Sequence, residues 1–251
     1  KYMEKYGLNL KHFDFIASNG CLYSVKSNNS AKHQLTNFLP RPLYFIQDSN
    51  QTLRIVEVDN HKDAPSVIAF RQDELSSMDK CVTRLGLNGN YTLLTTGEEF
   101  KVFRALIYDG LKNASMANFV GWNDSGDDGF FVWGNGVFSN KEWIKPNEFG
   151  IIEYDGEFYY IPSCSQANEN NNDPIVQNMK MYEYVPDDTV NMYDFLSLVD
   201  DVFAENGLIT VSFGIATIFR DIIFGSTSYF PLLFIFGPNM TGKTTLAKNA
   251  M

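Results

Sequence analysis

Phe230-Pro-Leu-Leu-Phe-Ile-Phe-Gly237-Pro-Asn-Met-Thr-Gly242-Lys243-Thr244 is the stretch on which the reading of this 251-residue chain turns. It opens with an apolar run that does not alternate, the pattern of a strand buried on both faces in a parallel sheet. It continues as G-x-x-x-x-G-K-T and then as Thr245-Leu-Ala-Lys, which starts like a helix. The spacing has a physical reason. Glycines let the backbone fold so that successive N–H groups point inward at phosphate oxygens, and the new helix adds its positive end at the same place. Lys243 then reaches the β- and γ-phosphates of ATP as a point charge, and the Thr244 hydroxyl ligates Mg2+. Gly237, Pro238, Asn239, Met240, Thr241 and Gly242 form the loop, and Thr245 follows on the helix, so 237–245 is the expected nucleotide contact. The competing reading is a glycine turn followed by an exposed lysine; the strand–loop–helix context favours the phosphate loop. Hydrolysis further needs an acidic strand and an arginine finger. Neither is found in these residues, so turnover is not expected of them alone.

Upstream of the loop the pattern is helical. Phe195, Val199, Val202 and Phe203 mark an amphipathic helix that Asn206-Gly207 is expected to stop as a cap. An apolar helix over 208–224 should follow, ending at Gly225. Its uncharged run, 208–219, is shorter than the about 20 apolar residues a membrane span requires. A buried helix and a buried strand are expected there, with no membrane.

Residues 1–186 read mainly as short strands. Candidates lie at 13–18, 22–26, 43–47, 53–58 and 66–70, with turn residues at 48–51 and 59–63. One helix is expected over 73–85, stopping before Gly86. A second is marked by Thr96-Gly97-Glu98-Glu99, a capping box, with Phe100, Phe103, Leu106, Ile107 and Leu111 on one face behind it. Strands return over 118–160, at 129–133, 136–138, 150–154 and 157–161, and Asp155-Gly156 signals a hairpin. The segment 163–174, rich in Asn and Glu, is expected to be the least ordered. The expected fold is therefore α+β. A β-rich accessory domain with two interior helices spans 1–186, a helical connector 187–228, and the opening strand and P-loop of an incomplete α/β ATPase domain 229–251.

Composition excludes several classes. A net charge of −10, with no Lys/Arg cluster, argues against the chain as a whole clamping a polyanion. Cys21, Cys81 and Cys164 are odd in number and far apart, and His12, His33 and His61 are not at ligand spacing, which argues against zinc and for a reducing cytoplasm. The first residues have no apolar signal core, position 1 is not Met, and the sequence stops just after the loop helix begins. Both ends read as cuts in a longer chain.

Ile218-Phe-Arg-Asp-Ile-Ile-Phe224 together with 230–244 resembles the helicase half of the primase–helicases of Bacteroidetes phages and mobile elements. Val120-Gly-Trp122 and Phe131-Val-Trp-Gly-Asn-Gly-Val-Phe138 are similar to the pattern of an uncharacterised domain that precedes helicase-like ATPases of plasmids and phages. The resemblance covers about the C-terminal half and implies a DNA-dependent ATPase, a homo-oligomeric and hexameric ring that unwinds DNA. It also carries over Gly237, Gly242, Lys243 and Thr244 as ATP and magnesium contacts. The zinc-finger and primase metal domains of that group have no counterpart here, so primer synthesis is not assigned. A P-loop signalling or defence ATPase with an upstream protein-interaction domain is the alternative.

Three further features carry weaker signals. Arg220-Asp221 on an apolar helix reads as a local ion pair before a ring interface. Asn123-Asp-Ser-Gly-Asp-Asp-Gly129 suggests a calcium loop, but position 135 is Asn where such a loop needs a glutamate, so a polar hairpin turn is expected. Trp122, Trp133, Trp143, Phe130, Phe131 and Tyr154 could stack on single-stranded bases. Aromatics in strands are more often core or cross-strand pairs, and Lys112, Lys141 and Lys145 are only a sparse basic set.

Overall fold

The computed structural model of the chain describes residues 2, 8–25, 32–47, 52–60, 64–117, 119–126, 128–169, 172–186, 189 and 191–250, the side chains of 249 and 250 apart. Turns expected at 48–51 and 61–63, and the end of the strand expected at 22–26, lie outside these residues. The fold is mixed α+β, with a β-rich N-terminal region. Two compact units divide it, Lys1–Tyr184 and Val185–Met251.

In the first unit, strands β1 (Phe15–Ser18), β2 (Cys21–Val25) and β3 (Lys32–Thr36) form a small antiparallel sheet. Next come β4 (Leu39–Gln47), β5 (Thr52–Asp59) and β6 (Ser66–Arg71), then helices α1 (Met78–Asn88) and α2 (Gly97–Tyr108), and then β7 (Lys112–Met116). Strands β8 (Gly121–Asn123), β9 (Phe130–Trp133), β10 (Gly136–Ser139) and β11 (Glu142–Ile144) make a four-stranded antiparallel sheet in the order β11-β10-β9-β8. A hairpin of β12 (Ile151–Tyr154) and β13 (Glu157–Tyr160) completes the six-stranded sheet β12-β13-β7-β4-β5-β6, and α3 (Pro174–Lys180) follows.

Period-two alternation on β5 and β6 explains why this larger sheet sits at the centre. Val56, Val58, Ile68 and Phe70 face a core that α1 and α2 cover with Leu85, Phe103 and Leu106. Leu53, Ile55, Val67 and Ala69 face a second core with Ile46, Ala114 and Tyr160. Both faces of the sheet are therefore covered. A third core, with Phe130, Val132, Val137, Ile152 and Tyr159, joins one face of the four-stranded sheet to the β12–β13 hairpin.

The capping box forms as expected: Thr96 Oγ1 accepts from Glu99 N at 3.4 Å, and a Glu99 carboxylate oxygen accepts from Thr96 N at 2.9 Å. Behind it Phe100, Phe103, Leu106 and Ile107 are buried, while Leu111 falls outside the helix. Asp155 (φ 51°) and Gly156 (φ 78°) supply the paired left-handed residues of a hairpin turn. The first helix differs from expectation. It starts at Met78, capped by Ser77, and runs through Gly86 to Asn88, because a single interior glycine costs only about 1 kcal/mol against a helix already anchored by buried Cys81 and Leu85. The segment 163–174 also differs where it is described. Asn168 is buried, its amide donating to Tyr160 Oη and to Pro162 O at 3.0 Å each, so a residue that reads as loop filler ties a turn to the core.

Burial also makes this unit sensitive to alkali. Burial pushes the Tyr160 hydroxyl from 10.0 up to about 12, and burial, with Glu74 adding, pushes the Cys81 thiol from 9.0 up to about 12. In the unfolded chain both ionise at the lower values. Above about pH 9 unfolding therefore releases protons that the native state retains, and stability falls as pH rises toward about 12. Each group contributes a slope of about 1.4 kcal/mol per pH unit once ionised in the unfolded chain. Urea midpoints at pH 8 and pH 10.5 (about) should show the loss, and an unchanged midpoint would contradict it.

The second unit holds α4 (Met192–Ile218), α5 (Arg220–Thr227) and α6 (Lys243–Ala250), with α6 packed on α4. The expected stop at Asn206-Gly207 is not where the chain breaks. α4 is interrupted at Ala204 (φ 51°, ψ −149°), and Gly207 is helical and buried. A Cβ at Gly207 would stand 2.6 Å from Phe203 Cβ and 2.7 Å from Val199 Cγ1, so this glycine serves close packing instead of a cap. The expected helix 208–224 is broken at Phe219, with an 80° bend between α4 and α5. α5 passes Gly225 because Thr227 Oγ1 bonds Ile223 O and left-handed Ser228 caps the end on Phe224 O. No single helix among the described residues is long and apolar enough to cross a membrane; α4 and α5 together pass on length and composition, as a bent pair.

The buried strand expected at 230–236 is also corrected. The run has no regular secondary structure, Leu233 and Ile235 are half-buried, and it pairs with no strand among the described residues. Leu232, Phe234 and Phe236 are 93, 83 and 88 % exposed. A strand exists only through its neighbours' hydrogen bonds, and these residues alone supply no partner.

Candidate functional site

The glycine loop leaves that run at Gly237 and ends where α6 begins, at Lys243. Two left-handed residues bend it, Met240 (φ 64°) and Gly242 (φ 77°). At Gly242 a left-handed backbone is cheap, whereas Met240 carries the cost of its Cβ. Thr241 Oγ1 donates to Pro238 O at 2.9 Å. Lys243 Nζ donates to the same carbonyl and to Thr241 Oγ1, the latter at 3.3 Å. A Cβ at Gly237 would lie 3.6 Å from Thr241 Oγ1 and 3.8 Å from Lys243 Cδ, so the lysine stem crosses the loop from one glycine side to the other. Leu246 N donates to Gly242 O at 2.8 Å, and buried Leu246 anchors the helix. Pro238, Asn239, Met240, Thr241, Gly242, Thr244 and Thr245 are exposed. Sequence position therefore becomes a spatial cluster: one ammonium, threonine hydroxyls, and the first turn of a helix whose N–H groups lack intrahelical acceptors.

The six aromatics singled out in the sequence separate into two sets. Phe130 and Tyr154 are core residues, 5.2 Å apart edge to face. The other four lie on the opposite face of the four-stranded sheet. Strand register places Trp122 against Phe131, Phe131 against Phe138, and Phe138 against Trp143. The result is one row running from edge strand β8 to edge strand β11, with Trp133 two residues beyond Phe131. Glycines make room for the terminal indoles. A Cβ at Gly129 would stand 2.4 Å from Trp122 Cζ2, and one at Gly136 2.5 Å from Trp143 Cζ2.

Tyr184 and Asn135 were not singled out from sequence, and they close one end of this row. The Tyr184 ring lies 4.8 Å from Trp143 at an interplanar angle of 33°, and 6.0 Å from both Trp133 and Phe138. Its backbone is clamped by one side chain: Asn135 Oδ1 accepts from Tyr184 N at 2.9 Å, and Asn135 Nδ2 donates to Tyr184 O at 2.8 Å. Gly134 N donates to Tyr182 O at 2.6 Å alongside. The signal for this lay in the register of Gly134-Asn135-Gly136 opposite a segment about 50 residues away, which no local pattern encodes.

The remaining candidates are local. Arg220 Nη1 pairs with Asp221 Oδ1 at 3.2 Å on an exposed surface. A cleft of about 850 Å³ beside β6 and α1 is lined by Arg71, Glu74, Arg84 and Asn168 among others. There Arg84 donates to Ala69 O at 3.0 Å and lies 3.7 Å from the Glu74 carboxylate. Burial pushes the Cys164 thiol up to about 11, with Glu183 adding to it, which keeps it protonated and unreactive near neutral pH.

No family model matches the chain, and no curated protein matches it. Among solved structures it is similar to one described as SCCmec type IV Cch, an active helicase, at 14% identity and a TM-score of 0.47. The match covers 93% of this chain and 39% of that one. A likeness at this level says nothing of function.

Proposed function

We propose that the loop 237–245 binds the phosphates of ATP, and that the protein works as a DNA-dependent ATPase, a helicase or primase–helicase of a phage or mobile element. The observation that carries the nucleotide reading is the start of α6 at Lys243, directly after a loop bent by Met240 and Gly242. Anions are favoured at a helix N-terminus, and an ammonium already tethered to the loop by Pro238 O and Thr241 Oγ1 needs little rearrangement to exchange those acceptors for phosphate oxygens. The residues present fit such a group: Gly242 has open space where a Cβ would stand, and Thr244, on the first turn, offers an exposed hydroxyl for a phosphate-bound Mg2+. Bound ATP and magnesium would supply the transferable phosphoryl group and its charge neutralisation. The DNA-dependent part rests on the sequence resemblance at 218–224 and 230–244, as does a hexameric ring.

A second reading, a partner-regulated P-loop ATPase, draws support from the acidic balance of the chain and from the aromatic row on a domain without a basic cluster. ATP turnover of the intact protein, with and without single-stranded DNA and beside Lys243→Ala, decides between them. Strong DNA stimulation that the substitution abolishes supports the motor. Turnover indifferent to DNA sinks it in favour of the second reading.

A further inference from the structure

We propose that the open, Trp122 end of the aromatic row is a docking site for a cationic, arginine-bearing segment of a partner protein. The inference rests on the four-stranded sheet alone and is independent of the nucleotide loop.

The row already shows what it accepts. At its β11 end the planar ring of Tyr184 lies over Trp143, held there by the Asn135 clamp. At its β8 end the matching indole, Trp122, covers Gly129 in the same way as Trp143 covers Gly136, yet it is 43 % exposed. Phe119 beside it is exposed as well, its ring 3.5 Å from where a Gly121 Cβ would stand. One end of the Trp–Phe–Phe–Trp row is thus covered by Tyr184, while at the other Trp122 is exposed, with no ring stacked on it among the described residues.

Charge distinguishes the two ends and selects the occupant. The covered end carries Lys141 and Lys145 around Glu142 and Trp143. The open end carries exposed Asp124, two residues after Trp122; exposed Asp128, next to the Gly129 that Trp122 covers, lies between the two ends, one of its carboxylate oxygens accepting from Asn140 Nδ2 at 3.2 Å. An indole face and nearby carboxylates both attract a cation. A guanidinium satisfies them together, because it is planar, stacks on an indole and pairs with carboxylates through a rigid fork. A nucleic-acid strand could stack its bases on Trp122, but it would have to lay phosphates beside these aspartates. The aspartates decide for the cationic peptide.

The test is fluorescence anisotropy of a labelled peptide alternating arginine and glycine, titrated with the full chain. A lysine-for-arginine peptide and labelled oligothymidylate serve as comparison probes. The arginine peptide should bind more tightly than the lysine peptide. Trp122→Ala should weaken it about five-fold, Trp122→Phe less, and Asp124→Asn with Asp128→Asn should weaken it and flatten its salt dependence. Circular dichroism of each variant checks the fold, and Trp122→Phe keeps the test usable if the alanine variant misfolds. Lys243→Ala should leave peptide binding unchanged, so failure here is separate from failure of the nucleotide loop. Equal binding by wild type and both Trp122 variants would overturn the proposal, since it would reduce the attraction to net charge. Trp122-dependent binding of oligothymidylate in place of the peptide would overturn it too, by making the row a polynucleotide surface.

Discussion

Replacing Lys243 by alanine is expected to weaken binding of a fluorescent ATP analogue by about 10- to 100-fold, the loss of one or two charge-assisted hydrogen bonds worth about 1.5–3 kcal/mol. Two effects contribute. The ammonium is the one cation within the loop 237–242 and its junction with α6, so its removal leaves only backbone N–H groups and hydroxyls to balance a triphosphate. Its stem also bridges Pro238 and Thr241, so alanine frees a loop that must otherwise be ordered before it can bind. Thr241→Ala separates them, because it removes part of the internal bracing and keeps the charge; its loss should be several-fold smaller. Lys243→Arg should recover only part, since a forked guanidinium does not replace a compact ammonium. Binding, not hydrolysis, is the right readout, because hydrolysis further needs an acidic strand and an arginine finger. An unchanged affinity in a folded Lys243→Ala chain would leave 237–245 as an ordinary turn before a helix.

How far the sequence could be read depended on whether a feature is local. The capping box at Thr96–Glu99 and the hairpin turn at Asp155-Gly156 are each decided within a few residues and stand where the pattern puts them, and the helix read from Thr245 starts two residues earlier, at Lys243. Strand β7 was missed because Lys112-Asn-Ala-Ser-Met shows no apolar alternation. It is central through its parallel pairing to β4 and β13, and only Ala114 is buried within it. β3 was missed for a related reason, since Lys32-His-Gln opens it with polar residues on an edge. The break in α4 falls at Ala204, short of the stop read at Asn206-Gly207, and the break at Phe219 follows no propensity rule, since 208–224 reads as one continuous helix. The run 230–236 reads as a buried strand because its composition is that of one; whether it is paired depends on residues elsewhere. The aromatic row shows the same limit. Its members were legible as aromatics, but which of them share a face follows from register, and register is set by partners across the sheet.

Phe38→Ala should destabilise the first unit by about 3–5 kcal/mol, a large share of the about 5–15 kcal/mol typical of a domain. Phe38 stands between β3 and β4 and is 1 % exposed. Its ring meets Tyr91 edge to face at 5.5 Å and Phe103, on α2, at 6.4 Å, so one side chain joins the start of the central sheet, the segment after α1, and the helix that covers both. Alanine would remove the burial and both ring pairs at once, and would leave a cavity whose walls belong to three separate elements and cannot all close on it. Phe38→Leu keeps most of the volume and should cost less than half as much. Trp122, Trp133 and Trp143 all lie in this unit and none lies in 185–251, so tryptophan fluorescence in urea follows it without interference from the second. At a slope of about 2 kcal/mol/M the midpoint should fall by about 2 M. A fall of less than about 0.5 M would mean that the three elements are held by other contacts, and that the sheet and α2 do not depend on this ring for their cohesion.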